Sequence, residues 1–321
     1  MRFAILVLFL IFAFLLGISV GSVKTTPYDL IEYLKTGKDV KGYIVWKVRF
    51  PRTLGAMIGG MCLAISGLLL QTYFRNPLAG PYVLGISSAS SLAVALYILA
   101  GVGLRDLGIV GSAFLGSLLA TLLIVALAGK VRSAVTLLIA GLMLGYIFSA
   151  FERILITLAE SRKVYRFILW TFGSFSGITW NNVGTMYFVG IPALICSFLL
   201  SKPLNALLLG EDYAKSMGVN VRVVRVLVVA IASLLASLVT AFAGIVAFIG
   251  LAIPHMARLM LRTSDHRILI PATALLGGSV TVLCDIVARM LLNPVELPVS
   301  VVTSLFGAPI VIYLVMRRKK V

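Results

Sequence analysis

Charge is scarce in this chain, and negative charge is scarcer still. Only 12% of its 321 residues are charged, with 11 Asp and Glu against 28 Lys and Arg. A soluble domain carries about 25% charged and about 45–50% apolar residues. Here 60% are apolar, which leaves too little polar surface to cover a water-soluble body, so lipid is the solvent that suits the composition. Cysteine is also rare. Cys62, Cys196 and Cys284 each sit in an apolar run with no CxxC spacing, and they read as small buried hydrophobes rather than a disulfide framework. The two histidines, His255 and His266, have poor spacing for metal ligands on one helix, so no metal site is expected.

Catalytic signatures are missing too. The Gly-Lys pairs Gly37-Lys38 and Gly129-Lys130 are followed by Asp39 and Val131, so no P-loop is present to cradle a nucleotide. Neither H-E-x-x-H nor G-x-S-x-G occurs. These absences argue against an enzyme and against a resident cofactor. The basic residues lie between apolar runs and form no continuous face with interleaved aromatics, which excludes a nucleic-acid partner. If the chain pumps, its energy comes from another polypeptide.

What is present is a series of apolar runs near the length of about 20 residues that crosses a bilayer as a helix. Ten are expected, near 3–23, 53–74, 82–103, 107–128, 134–158, 183–201, 223–241, 244–261, 268–288 and 299–316. The first lacks an A-x-A cleavage site and reads as an uncleaved span. Residues 24–52 and 202–222 form polar links. Residues 160–182, with Trp170 and Trp180, read as a membrane-surface segment. An even number of spans puts both termini on one side. With the tail Arg317-Arg318-Lys319-Lys320 inside, the inner segments gather the larger net positive charge, as the positive-inside rule requires. The margin in Lys and Arg is narrow, because residues 24–52 are themselves basic. The turns Arg105-Asp106 and Lys130-Arg132 fall between expected spans.

Several residues stand out. Gly55/Gly59 and Gly141/Gly145 are small-xxx-small pairs that allow close helix approach. Arg49 and Arg52 flank Pro51 at the expected outer end of the second span. They either reach toward lipid headgroups or present a bidentate surface to an acidic partner. Asp285 and Arg289 are spaced for an i,i+4 pair. Glu152 and Arg153 lie within the fifth run, where charges at depth pair with a neighbour or face a cavity. They are candidates for a substrate path unless they sit nearer the surface. Residues 212–218, Asp-Tyr-Ala-Lys-Ser-Met-Gly, read as a short helix closed by Gly218, a natural handle for a motor protein.

An ordered set of motifs spans nearly the whole chain: V-R-F-P-R-T-L at 48–54, L-A-I-S-G-L-L-L-Q at 63–71, R-N-P-L-A-G-P-Y-V-L-G-I-S-S at 75–88 and W-T-F-G-S-F-S-G at 170–177. G-I-V-A-F-I-G-L-A-I-P-H at 244–255, D-H-R at 265–267, D-I-V-A-R at 285–289, E-L-P at 296–298 and L-F-G-A-P at 305–309 complete it. In these strings the sequence resembles the FecCD-type permeases, importer subunits for iron-siderophore, haem and cobalamin, with some members for molybdate or tungstate. The resemblance implies an all-α polytopic fold with ten helices, of type II ABC importer permease architecture, as one permease domain over residues 1–321. It implies a homodimer or paired halves, two copies of a cytoplasmic ABC ATPase, and an extracytoplasmic substrate-binding protein. Localisation would be the plasma or inner membrane, with lipid all around. Carried over by position, Arg49, Arg52 and Arg289 would receive glutamates of the binding protein. Asp212, Ala214 and Gly218, in a coupling loop near 202–222, would meet the ATPase, with Asp212 replacing the commoner Glu. Ser133, Ala134 and Val135 align with the cytoplasmic gate, where related cobalamin permeases are more polar. The Glu152–Arg153 pair is no hallmark of the family. The expected cargo is a metal chelate, iron-siderophore first, then cobalamin, haem or an oxyanion. The alternative is a secondary carrier or channel, which would show inverted repeats around an ion site; no clear internal repeat is visible.

Overall fold

The computed structural model of the protein describes residues 2–102, 108–131 and 133–317. The Arg105-Asp106 turn, Arg132 and the tail residues 318–320 lie outside the described residues. Within them the chain folds into helices alone. In order these are α1 (Arg2–Ser19), α2 (Pro27–Thr36), α3 (Val40–Tyr43), α4 (Phe50–Phe74), α5 (Ile86–Ile98), α6 (Gly108–Lys130), α7 (Ala134–Leu158) and α8 (Ser161–Thr171). Then come α9 (Trp180–Leu199), α10 (Ser201–Leu209), α11 (Glu211–Ser216), α12 (Val221–Ala243), α13 (Ile249–Leu261), α14 (His266–Met290) and α15 (Val299–Arg317).

Six of these helical stretches are long and apolar enough to cross a membrane, and four shorter apolar helices accompany them. Together they match the ten expected runs. The bundle is built around α4, which packs on α14, α12, α13 and α9. Its glycines are the reason it can sit so deep. A Cβ on Gly67 would stand 1.7 Å from the Gly250 carbonyl oxygen, and one on Gly60 would stand 2.3 Å from that of Gly277. At both crossings backbone meets backbone, the close approach that small residues permit between membrane helices. The Gly141/Gly145 pair receives Leu84 and Gly85, and the Gly55/Gly59 pair receives Ile178 and Phe175.

Two expectations needed correction. Residues 24–52 are not an open polar loop. Thr26 caps α2 through a reciprocal capping box with Asp29, Asp39 caps α3, and a π-helical stretch over Ile44–Arg49 runs directly into α4. Pro51 lies just beyond that stretch. Proline is tolerated there, in the first turn of α4, because it needs no N–H at that position. Residues 202–222 hold the expected short helix as α11 and, ahead of it, the unexpected helix α10.

The expected spans near 82–103 and 244–261 are each shortened at the start. A 3-10 turn over Pro81–Leu84 precedes α5, and an irregular stretch over 244–248 precedes α13. The two irregular segments meet. The Tyr82 hydroxyl donates to the Val246 carbonyl at 3.0 Å and accepts from the Val246 N–H at 3.1 Å. Gln71 Nε2 donates to Leu251 O at 3.1 Å. Backbone freed from a membrane helix is tolerated only where protein satisfies it, and these two side chains do so.

Candidate functional site

Polar chemistry collects at the two ends of the bundle. At the end where α1 finishes and α4 begins, Arg49, Arg52 and Arg289 converge, and all three are buried. Arg52 is held between two carboxylates. Its Nε lies 3.0 Å from Asp285 Oδ2 and its Nη2 lies 3.0 Å from Oδ1. Its Nη1 donates to both oxygens of Glu296, at 2.9 and 3.0 Å. Asp285 is buried, whereas the Glu296 side chain is 48% exposed. The expected Asp285–Arg289 pair is present at 3.8 Å, on a carboxylate shared with Arg52.

Arg49 and Arg289 turn to the end of α1. Arg289 Nη2 donates to Gly17 O at 2.7 Å. Arg49 Nη1 donates to Ile18 O at 3.1 Å and Ser19 O at 3.0 Å, and Nη2 donates to Val23 O. The last carbonyls of a helix have no partners within it and carry its negative dipole end, so two guanidinium groups cap α1 here. Trp180 Nε1 donates to Trp46 O at 2.8 Å, and their rings lie 5.0 Å apart, fastening the start of α9 to the same corner.

At the opposite end, α10 and α11 meet at Gly210, with φ of 130°. Within α11 Ala214 is buried, while Tyr213 is 54% exposed. Asp212 projects outward and accepts from Lys215 Nζ at 2.8 Å. That bond holds the Asp212 carboxyl below, and the Lys215 amine above, the ordinary range. Gly218 adopts φ of 80°, and its N–H donates to Lys215 O while that of Val219 donates to Ala214 O, at 2.9 and 3.0 Å. This is the left-handed C-terminal cap for which glycine is suited.

The D-H-R string forms a node beside α10. Asp265 caps α14 through the Arg267 N–H at 3.0 Å and accepts from Asn205 Nδ2 at 2.6 Å, so its carboxyl is held below the usual range. His266 Nδ1 lies 2.7 Å from Asn205 Oδ1, and its Nε2 lies 2.8 Å from Thr72 Oγ1. An Nδ1–H imidazole donating to Asn205 and accepting from Thr72 satisfies both contacts. Nearby, a cavity of about 480 Å³ is lined by residues including Gln71, Arg75, His255 and Arg258.

The expected gate residues lie at the start of α7. Ser133 caps this helix through the Thr136 N–H, Ala134 is half-buried and Val135 is exposed. Only 17% of the most apolar window of α7 is buried, so most of that helix faces outward. Farther along, Glu152 is half-buried, while Arg153 is exposed. The adjacent charges therefore have different surroundings.

Residues 9–317 match the FecCD transport family. The chain belongs to that family. It is 37% identical to the vitamin B12 import system permease protein BtuC of Pectobacterium atrosepticum, over 98% of this chain and 93% of that protein. It is 36% identical to an ABC transporter permease protein of Methanocaldococcus jannaschii, over 92% of this chain and 90% of that one. Among solved structures, a metal-chelate type ABC transporter in an inward-facing conformation superposes with a TM-score of 0.86 at 30% identity, over 98% of both chains. The FecCD chain described here is thus a multi-pass transport permease of the ABC importer type. Sequence reading missed Tyr82, Gln71 and Asn205 as positioning residues. Tyr82, Gln71 and Asn205 act on segments more than 50 positions away, and no local pattern marks such a contact.

Proposed function

We propose that the chain is a single permease domain, residues 1–321, that pairs with a second copy to form the membrane path of an importer. Two copies of a separate ATPase drive alternating access from the cytoplasmic side, and an extracytoplasmic binding protein delivers the cargo. The observation that carries this reading is α11. It is a short helix at one end of the bundle, seated by Ala214 and presenting Tyr213 and Met217 outward. Exposed apolar side chains among charged neighbours suit a protein partner, and the chain has no P-loop of its own. In this reading Asp212, Ala214 and Gly218 shape the ATPase contact, and both termini are cytoplasmic.

At the outer end, Arg49, Arg52 and Arg289 supply the positive field for an acidic binding protein. Their burial directs the docking through Arg52, whose outer carboxylate partner, Glu296, is half-exposed. An incoming glutamate replaces Glu296 on the same guanidinium. Ser133, Ala134 and Val135 form the cytoplasmic gate, and the outward face of α7 faces the second copy and the pathway, with Glu152 and Arg153 along it.

The cargo class is a metal chelate. Iron-siderophore follows from the motif resemblance, and cobalamin is favoured by the relatives named for vitamin B12 import. Calorimetry of the cognate binding protein against a ferric siderophore and cobalamin separates the two. Binding of neither, with tight binding of an oxyanion, rejects the chelate reading.

A further inference from the structure

The cavity of about 480 Å³ beside the D-H-R node takes no part in the proposed transport path. Its wall joins the end of α4, the end of α13, α10 and α15, and it carries the basic side chains Arg75, Arg258 and His255. Among the described residues, no Asp or Glu lines it. Asp265, next in the chain to the lining residue Ser264, turns instead to the Arg267 N–H and the Asn205 amide. Neutral oxygens orient the basic groups. Arg258 Nη1 donates to Gln71 Oε1 at 2.8 Å, and Gln71 is itself buried and tied to Leu251 O. Arg75 Nη2 donates to Leu207 O at 2.7 Å, and His255 Nε2 donates to Pro77 O at 3.0 Å. A bond to a neutral oxygen fixes a guanidinium without cancelling its charge, and each guanidinium carries five N–H donors. The rest of the wall includes the apolar side chains of Leu208 and Leu259, both exposed.

We infer that this cavity binds the phosphate headgroup of an anionic phospholipid. Oriented cations in a concave wall focus positive potential, and the guanidinium fork matches phosphate oxygens. Basic pockets between membrane helices on the cytoplasmic side take such headgroups. The exposed leucines favour a lipid over a free anion, because they offer apolar surface to the glycerol and the first acyl methylenes. The inference rests on the proposed placement of this end of the bundle at the cytoplasmic face.

The test uses the complete transporter in detergent and native mass spectrometry of added phosphatidylglycerol or phosphatidylcholine. Phosphatidylglycerol is expected to bind more tightly. Arg75→Gln and Arg258→Gln each weaken it by roughly fivefold, the scale of one basic residue at an anionic surface. Ser264→Glu weakens it similarly by adding a carboxylate to the wall. Ser264 is exposed, so this variant carries the test even if an arginine variant misfolds. Arg222→Gln leaves the affinity unchanged, since Arg222 holds Gly129 O and does not line the cavity. Inorganic phosphate at millimolar concentration leaves the lipid bound. Full displacement by phosphate, with the same dependence on the variants, assigns the cavity to a free anion and overturns the lipid reading. Equal binding of the two lipids, or equal affinity of the native chain and Ser264→Glu, overturns the site itself. Labelling of Ser264→Cys in a Cys196→Ala background, with an impermeant maleimide on intact cells, checks the placement separately. Labelling from outside contradicts the cytoplasmic assignment, while the lipid titration still reads the site.

Discussion

Arg52 and Asp285 form a buried ion pair at 3.0 Å between residues 233 positions apart, joining the first turn of α4 to the last third of α14. With Asp285 removed, buried Arg52 keeps only the half-exposed Glu296, and buried Arg289 loses the carboxylate it faces. Asp285→Ala is expected to destabilise the chain by about 3–5 kcal/mol, the cost of breaking a buried pair from one side. Replacing both partners, with Arg52→Met and Asp285→Leu, recovers most of that loss. Thermal unfolding in detergent checks both. Equal stability of Asp285→Ala and the native chain would contradict the assigned pairing.

Glu296→Gln is expected to raise affinity for the binding protein by roughly two- to fivefold, the scale of a partly exposed pair. Arg52→Gln lowers it. Both effects shrink at high salt as screening shortens the reach of the charges. Surface plasmon resonance at two ionic strengths measures this, and no change with Glu296→Gln removes Glu296 as the displaced carboxylate.

Asp265 links stability to pH. Its carboxyl is held below the ordinary value by the Arg267 N–H and the Asn205 amide. A depressed carboxyl contributes stability above the unfolded-state pKa and loses it as pH falls through the folded value. The α10–α14 corner therefore loosens in acid below the usual Asp range, and Asp265→Asn flattens that dependence. Asp265→Ala costs about 1 kcal/mol at neutral pH, as the loss of a helix cap does. Melting curves between neutral and acid pH provide the check.

Gly67→Ala places a methyl group against the Gly250 carbonyl and is expected to cost on the order of 1–3 kcal/mol through forced separation of α4 from α13. Gly177→Ala, where nothing lies within 4 Å, stays close to native. Size-exclusion profiles and unfolding temperatures compare the two.

The ten-helix plan was readable because a bilayer imposes a length and a composition on each crossing. The cap at Gly218 was readable because left-handed backbone has a residue preference. Arg49 and Arg52 were readable as charges flanking Pro51, and Arg289 as an i,i+4 partner of Asp285. Their burial depends on α1 ending beside them and on Asp285 arriving from α14, relations between distant segments. The helices α2, α3 and α10 escaped notice because short helices lack the long apolar signal, and the caps at Thr26 and Asp39 are common residue types in loops as well. Arg225 Nη2 lies 3.7 Å from the Glu211 carboxylate; the two are 14 positions apart, and their meeting depends on how α11 folds back on α12.

The central claim is that transport through this permease is driven by a separate ATPase. Uptake of the chelate presented by the cognate binding protein, in proteoliposomes with and without the ATPase subunits, tests it most directly. ATP-dependent uptake only when the ATPase is present is the predicted result. Equal uptake without the ATPase, sustained by an ion gradient alone, would contradict it.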